Sequence, residues 1–184
     1  MKPIMSEKTY SKVTWFATFL PVIIIVLLAA TNIGISTVPS GSMEPTIKIG
    51  SLVLYEHIDA SDLEYGDIAL FFPVDNQSVE VPNFLSAYFC SHELGIAPYT
   101  KRVVGLSGDV IATHDGYLWR NGEKQIESYV AENTDGDFGP YVVPDGYIFC
   151  MGDNRNNSLD SRYYGAFPEN VFYGRMVKIF SPIG

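Results

Sequence analysis

Charged residues are scarce in this sequence. They make up 18% of its 184 residues, and none occurs between Lys12 and Glu44. Lys and Arg are scarcer still, 12 against 21 Asp and Glu, which argues against a nucleic-acid partner because phosphate binding needs clustered cations. With only two cysteines the chain is not a disulfide-rich miniprotein, and no Cys/His spacing predicts a metal site or another cofactor. A hydrophobic content of 47% excludes a disordered chain and favours one domain with its own core.

The uncharged gap predicts a transmembrane anchor over residues 14–35. A bilayer core needs about 20 apolar residues in a helix, and this stretch supplies them. Pro21 would damage a soluble helix but is tolerated in a membrane helix, and Trp15 stands where an interfacial aromatic residue is expected. A cleaved secretory signal is the alternative, although the run is long for one and the small residues around Ala30 form only a weak cleavage site.

The charges on either side of the anchor predict its orientation. Three lysines and one glutamate precede it, whereas nine basic and 20 acidic residues follow Ile35. Because basic flanks stay in the cytoplasm, we expect a cytoplasmic N-terminus over residues 1–13 and an extracytoplasmic domain over residues 36–184. The chain would then cross the cytoplasmic membrane once, with the lipid bilayer as a partner.

Beyond the anchor the sequence predicts a mainly β domain, built as an antiparallel sheet or barrel. Short runs rich in Val, Ile, Tyr and Phe are bounded by Gly, Asp, Asn or Pro, as is typical of strands. Asn121-Gly122 indicates a two-residue hairpin, and residues 73–98 indicate a long loop or insertion. The expected strands are Ser51–Tyr55, Asp67–Phe72, Thr100–Val104, Val110–His114, Tyr117–Trp119, Tyr147–Met151 and Val171–Phe180.

Two serines flank a glycine just beyond the anchor, in the segment PSGSMEPT (39–46). Serine becomes a nucleophile when a base takes its proton, and an oxyanion can be stabilised by a backbone N–H beside a small hydroxyl residue. Taken alone, the segment fits a Ser/Gly/Pro linker between anchor and domain better than it fits a site.

A lysine suited to act as that base lies in the segment TKRVVGLSGD (100–109). Lys101 is surrounded by apolar, β-prone residues, and desolvation there would lower its pKa and keep part of it neutral. A neutral lysine amine serves as general base in Ser-Lys enzymes. The simpler interpretation is a solvated or ion-paired basic residue on a strand.

A third polar segment, GDNRNNSLDSRYYG (152–165), follows an apolar strand. A hydroxyl from this segment would be suited to orient a lysine base, whereas a surface loop with internally paired charges is the plain alternative.

Together these segments resemble bacterial type I signal peptidases, the membrane-bound serine proteases that remove signal peptides from exported preproteins. The resemblance covers nearly all of residues 36–184 apart from 73–98. It implies a mainly antiparallel β fold and a monomeric enzyme without cofactor that cleaves preprotein signal peptides after small residues. The matching stretches are SGSMEPT (40–46), YGDIALFF (65–72), TKRVVGLSGD (100–109) and GDNRNNSLDSRYYG (152–165).

The resemblance also implies roles for individual residues. Ser42 would be the nucleophile, and Lys101 the general base for Ser42 and later for the deacylating water. Ser40, with the Ser42 backbone N–H, would stabilise the oxyanion, and Ser158 would orient the lysine. The ion-paired scaffold behind the site would be Arg102, Asp153, Arg155, Asp160 and Arg162. An extended signal peptide would bind along Val38, Pro39, Met43, Ile47, Tyr99 and Thr100.

The sequence departs from the family pattern in two places. Ser107 stands where the family's GL-P-GD stretch usually has proline, and the 73–98 insertion has no counterpart. Both a Cys90–Cys150 disulfide and two free thiols fit the sequence. The three histidines lie outside the matching segments, and Lys101 indicates the bacterial type, not the histidine-dependent type of the endoplasmic reticulum.

Two other functions fit the same residues. One is a processing peptidase of the same architecture with a few dedicated substrates, its selectivity carried by residues 73–98. The other is a membrane-anchored β domain that binds signal peptides without cutting them. The second is disfavoured because Ser42, Lys101 and Ser158 are all present.

Overall fold

A computed structural model describes residues 33–72 and 98–182, together with Trp15, residues 17–20 and Ile23, which are helical. Most of the predicted anchor, and the insertion before Pro98, lie outside the described residues. Among the residues that are described, no helix is long and apolar enough to cross a membrane. The predicted end of the anchor needs correction, because Ile33–Thr37 form a strand, β1, that pairs with the next strand of the β domain.

The described chain is built mainly from strands. Short 3-10 helices occupy Ala60–Asp62, Arg155–Asn157 and Glu169–Val171, and one helical turn, α1, spans Ser161–Tyr164. The strands are β1 (Ile33–Thr37), β2 (Leu52–Glu56), β3 (Ile68–Phe71), β4 (Tyr99–Gly105), β5 (Val110–His114), β6 (Tyr117–Arg120), β7 (Glu123–Lys124), β8 (Phe138–Val142), β9 (Tyr147–Met151), β10 (Phe167–Pro168) and β11 (Phe172–Phe180).

These strands form two antiparallel sheets, which confirms the predicted mainly β class. The larger sheet has the order β1-β2-β11-β3-β4-β9-β10, and the smaller one has the order β7-β6-β5-β8. The hairpin predicted at Asn121-Gly122 is present, since Arg120 pairs with Glu123 and both turn residues have positive φ, 53° and 79°. That pair of angles is the requirement of a type I′ turn, which explains the Asn-Gly sequence.

The centre of the larger sheet positions the polar residues of interest. In β4, Lys101 pairs with Ala69 of β3, and the next residue, Arg102, pairs with Met151 of β9. Successive side chains of a strand point to opposite faces, so the side chains of Lys101 and Arg102 lie on opposite faces of the sheet. Both are buried, at 5% and 8% exposure.

Aromatic packing fills the core beside the centre of this sheet. Phe71 of β3 is fully buried, and its ring centroid lies 4.7 Å from that of Phe167 and 4.6 Å from that of Phe172. Burying one such side chain is worth about 2–3 kcal/mol. The strand that carries Lys101 is therefore held by a well-packed neighbour.

Candidate active site

Ser42 lies in the loop between β1 and β2, and buried apolar residues hold that loop in place. Val38, Met43 and Ile47 are each at most 5% exposed and belong to one core cluster. The Ile47 N–H donates to the Met43 carbonyl over 2.9 Å, which closes a turn directly after the serine. Ser42 itself remains partly exposed, on a backbone that its neighbours fix.

Lys101 contacts Ser42 directly. Its Nζ lies 2.6 Å from Ser42 Oγ, within hydrogen-bond distance. Burial lowers the pKa of Lys101 from 10.5 to about 8, because desolvation disfavours the ammonium more than the negative charge of Asp160 favours it. An amine with this pKa is partly unprotonated near neutral pH and can accept the serine proton.

The two other predicted serines lie at the same place. Ser40 Oγ is 3.3 Å from Ser42 Oγ, so the two hydroxyls are neighbours. Ser158 lines the same groove as Lys101. Its buried Oγ has no partner of good hydrogen-bond geometry among the described residues, Lys101 included, although it lies close enough to Asp160 to help lower the pKa of that carboxylate.

The polar segment 152–165 is bonded to the serine loop. The backbone N–H of Asn154 donates to the Ser42 carbonyl over 3.1 Å, and the Asn154 side-chain amide donates to the Gly41 carbonyl over 3.0 Å. Thr46 Oγ1 donates to Asp153 Oδ2 over 2.5 Å. Sequence reasoning assigned no role to Asn154, although it stands inside a motif that was singled out.

Arg102 and Asp153 form a buried, bidentate ion pair behind the site. The Arg102 Nε and Nη2 atoms lie 2.8 Å and 2.6 Å from the two carboxylate oxygens. The remaining Nη1 donates to the Gly66 carbonyl over 2.6 Å, and the guanidinium stacks 3.8 Å from the ring centroid of Tyr129. Removing one partner of such a pair typically costs about 3–5 kcal/mol, because the other charge stays buried.

Arg155 extends this network to a residue that the sequence did not predict. Its Nη1 and Nη2 donate to the two carboxylate oxygens of Glu127 over 2.7 Å and 2.6 Å, and its Nε donates to the Gly152 carbonyl over 3.1 Å. The Tyr129 hydroxyl also donates to Glu127, over 2.6 Å. Glu127 and Tyr129 lie in an irregular segment between β7 and β8, where no motif or periodicity indicates their role.

Asp160 completes the scaffold beneath the lysine. It is fully buried and accepts hydrogen bonds from the Gly152 N–H at 3.0 Å and from Arg162 Nε and Nη2, each at 2.9 Å. Burial by itself would raise the pKa of Asp160, but the Arg162 guanidinium and the Gly152 N–H outweigh it and hold that pKa below its usual value. Asp160 is therefore ionised, and all five predicted scaffold residues lie in one connected region.

Cys150 lies in the core beside this site. It is a free thiol at 0% exposure, and burial raises its pKa well above the usual value. Cys90 lies outside the described residues. The thiol near Lys101 is thus uncharged at neutral pH and adds to the apolar surroundings of the amine.

A groove of about 510 Å³ runs past the Ser42–Lys101 pair. Of the six predicted substrate contacts, Ile47 lies in the core and does not line the groove, because it is fully buried. The other five do line it: Val38, Pro39, Met43, Tyr99 and Thr100. The groove also contains residues to which the sequence assigned no such contact: Asn156, Asn157, Leu159 and Tyr163.

Comparison with known proteins identifies the family of this chain. The family model described as "Signal peptidase, peptidase S26" matches residues 12–181. The chain belongs to the type I signal peptidase family. It is 35% identical over 179 residues to the probable signal peptidase I-2 of Synechocystis, covering 92% of this chain and 75% of that protein. It is 32% identical over 170 residues to signal peptidase I of Bacillus licheniformis, covering 85% of this chain and 81% of that protein.

A solved structure is similar as well. The crystal structure of a signal peptidase I from Enterococcus faecalis aligns with a TM-score of 0.48 and 26% sequence identity, covering 63% of this chain and 97% of that chain.

As a signal peptidase the chain is a hydrolase and a protease, as the sequence predicted, and the motifs that carried the resemblance are brought together. Three of them meet at the groove, and the fourth, YGDIALFF, forms β3 and supplies the Gly66 carbonyl to Arg102. At the departure from the family pattern, the Ser107 Oγ accepts a hydrogen bond from the Gly146 N–H over 3.0 Å. This hydrogen bond ties the turn to Gly146 at the position where the family usually has proline.

Proposed function

We propose that this signal peptidase is a membrane-anchored serine endopeptidase that cleaves signal peptides from exported preproteins with Ser42 as nucleophile and Lys101 as general base. The observation that carries the proposal is the 2.6 Å contact between Ser42 Oγ and a lysine amine whose pKa is about 8. A solvated lysine would keep its proton at neutral pH and would be a poor base.

The reaction follows from this contact. Neutral Lys101 takes the proton of Ser42 as Ser42 Oγ attacks the carbonyl carbon of the small residue that ends the signal peptide. The Ser40 hydroxyl and the Ser42 N–H stabilise the oxyanion. The Lys101 ammonium then gives its proton to the leaving amine of the mature protein, and the neutral lysine activates the water that releases the signal peptide from Ser42.

The charge distribution supports a single-pass topology. The lysine-bearing N-terminus would lie in the cytoplasm, and the acidic β domain would face outward at the surface of the cytoplasmic membrane as a monomer. This arrangement would place Ser42 close to the bilayer, where signal peptides emerge.

Preprotein cleavage in detergent tests the nucleophile. Ser42→Ala is expected to lose cleavage and to lose covalent labelling by an acylating inhibitor, because it removes the hydroxyl that Lys101 contacts and that would form the acyl-enzyme. Ser61→Ala, at an exposed serine away from the groove, serves as the matched control and should behave as wild type. Cleavage by Ser42→Ala within tenfold of wild type would remove Ser42 from its proposed role.

The pH dependence of cleavage tests the base. Lys101 must lose its proton to act, so kcat/KM should rise about tenfold per pH unit below a pKa of about 8 and level off above it. Circular dichroism at each pH establishes that the enzyme stays folded. A profile that is flat, or that favours acid, contradicts general-base catalysis by Lys101.

A peptidase with a few dedicated substrates is the second candidate within the same chemistry. Its selectivity would depend on residues 73–98, which lie outside the described residues apart from Pro98. Cleavage profiling across many exported preproteins separates it from a general signal peptidase.

A further inference from the structure

Two apolar side chains are exposed on the wall of the catalytic groove. Leu159 is 55% exposed and Tyr163 is 69% exposed, and both line the groove that contains Ser42 and Lys101. Single exposed apolar residues are common on protein surfaces. Here, however, two of them line the groove that contains the proposed nucleophile, where a substrate can reach them.

The backbone that carries these side chains is fixed. Asp160, between them, is 0% exposed and is held by Arg162, and the Tyr163 N–H donates to the Asp160 carbonyl over 2.9 Å. Ser161 is also 0% exposed, and its Oγ accepts from the Cys150 N–H over 2.9 Å. Leu159 and Tyr163 are thus presented by a buried polar network, which is the arrangement that a specific contact requires.

The chemistry of the site indicates which part of the substrate reaches this wall. The signal-peptide side of the substrate is expected along the segments that carry Pro39 and Tyr99. The base that activates Ser42 later protonates the leaving amine, so the first residues of the mature protein must pass within reach of Lys101. The segment that carries Leu159 and Tyr163 lies on the same groove as that lysine, since Ser158, Leu159 and Tyr163 line it together with Lys101.

We propose that Leu159 and Tyr163 form the contact for the first residues of the mature protein and give the enzyme a preference for apolar side chains immediately after the cleavage site. The inference rests on the proposed signal-peptide cleavage at Ser42 and adds a specificity determinant on the leaving-group side. Partial burial of a leucine side chain against such a wall is expected to favour cleavage about fivefold.

Two pairs of fluorogenic peptides test this preference with the full-length enzyme in detergent. In the first pair the signal-peptide portion is identical, and the two residues after the scissile bond are Leu-Leu or Ser-Ser. In the second pair the leaving portion is Ser-Ser in both, and the residue two positions before the bond is Leu or Ser, with small residues kept at the other recognition positions. We measure kcat/KM for wild type, Leu159→Ser, Tyr163→Ser and the control Ile126→Ser, whose side chain is 97% exposed and outside the groove.

We expect wild type and Ile126→Ser to prefer Leu-Leu about fivefold, and the two groove variants to reduce that ratio toward one. The ratio within the second pair should stay unchanged in all four proteins. An equal rate on Leu-Leu and Ser-Ser in wild type overturns the inference, as does a full preference retained by both groove variants, or a change confined to the second pair. Failure of wild type to cut any of the peptides would instead contradict the proposed function.

Discussion

Lys101→Met is expected to abolish preprotein cleavage, with a loss of at least about a thousandfold, and at pH 7 to raise the free energy of unfolding by up to about 3 kcal/mol. The loss follows because methionine has no basic group to take the proton of Ser42. The gain follows because the folded protein lowers the pKa of Lys101 from 10.5 to about 8, and one pKa unit corresponds to about 1.4 kcal/mol. Lys101 is therefore expected to destabilise the fold at neutral pH.

The stability gain has a predictable pH dependence. Between about pH 8 and 10.5 the unfolded chain keeps a proton on Lys101 that the folded chain has lost, so the free energy of unfolding of the wild type rises with pH in that window. Methionine does not titrate. The difference in the free energy of unfolding between Lys101→Met and wild type should therefore have its maximum value below about pH 8 and should disappear near pH 10.5.

Denaturant unfolding at pH 7 and pH 10 measures this difference, and Lys48→Met is the matched control because Lys48 is exposed. The control is expected to keep both the activity and the stability of the wild type. If Lys101→Met is less stable than wild type at pH 7, the charged lysine is well solvated in the folded protein, and the explanation of its lowered pKa by burial is wrong.

Much of the fold was predictable because short apolar runs between turn residues specify strands directly. All seven predicted strands are present with ends within one residue, and the hairpin at Asn121-Gly122 has the backbone angles that its residues require. Four strands were missed for identifiable reasons. The first three residues of β1 lay inside the apolar run assigned to the anchor, β8 contains Gly139 and Pro140, and β7 and β10 have only two residues each.

The site was predictable as far as its motifs extend. Ser40, Ser42 and Lys101 were indicated by local sequence and family resemblance, and they lie in contact. Glu127 was not predictable, because its role comes from the bidentate contact with Arg155, 28 residues away, and no local pattern encodes that distance. Ile47 was assigned to the substrate groove because the family resemblance places it at a substrate-binding position, but its side chain packs into the core instead.

Gly152→Ala is expected to reduce kcat/KM at least about a hundredfold while the protein remains folded. A Cβ at Gly152 would lie 2.5 Å from the Ser42 carbonyl oxygen and 2.6 Å from Ser158 Cβ, and it would contact Ser158 Oγ more closely still. Relieving these overlaps is expected to shift the Ser42 backbone, because the Ser42 carbonyl lies between the new Cβ and the Asn154 N–H that donates to it over 3.1 Å. A displacement of about 1 Å at a reacting atom is enough for a loss of this size.

Gly105→Ala separates this effect from simple overpacking. Its Cβ would lie 2.8 Å from Ile111 Cδ1 and 3.2 Å from Phe149 Cβ, contacts in the core that involve no part of the serine loop. Both variants are expected to lose about 1–3 kcal/mol of stability, as overpacked sites do. If both variants are still folded at the assay temperature, kcat/KM is expected to fall only in Gly152→Ala. Equal losses of activity in the two variants would show that the missing side chain at Gly152 serves stability alone. A loss confined to Gly152→Ala means that the close approach of the two motifs, permitted by the absence of a side chain, is what sets the position of Ser42 against Lys101.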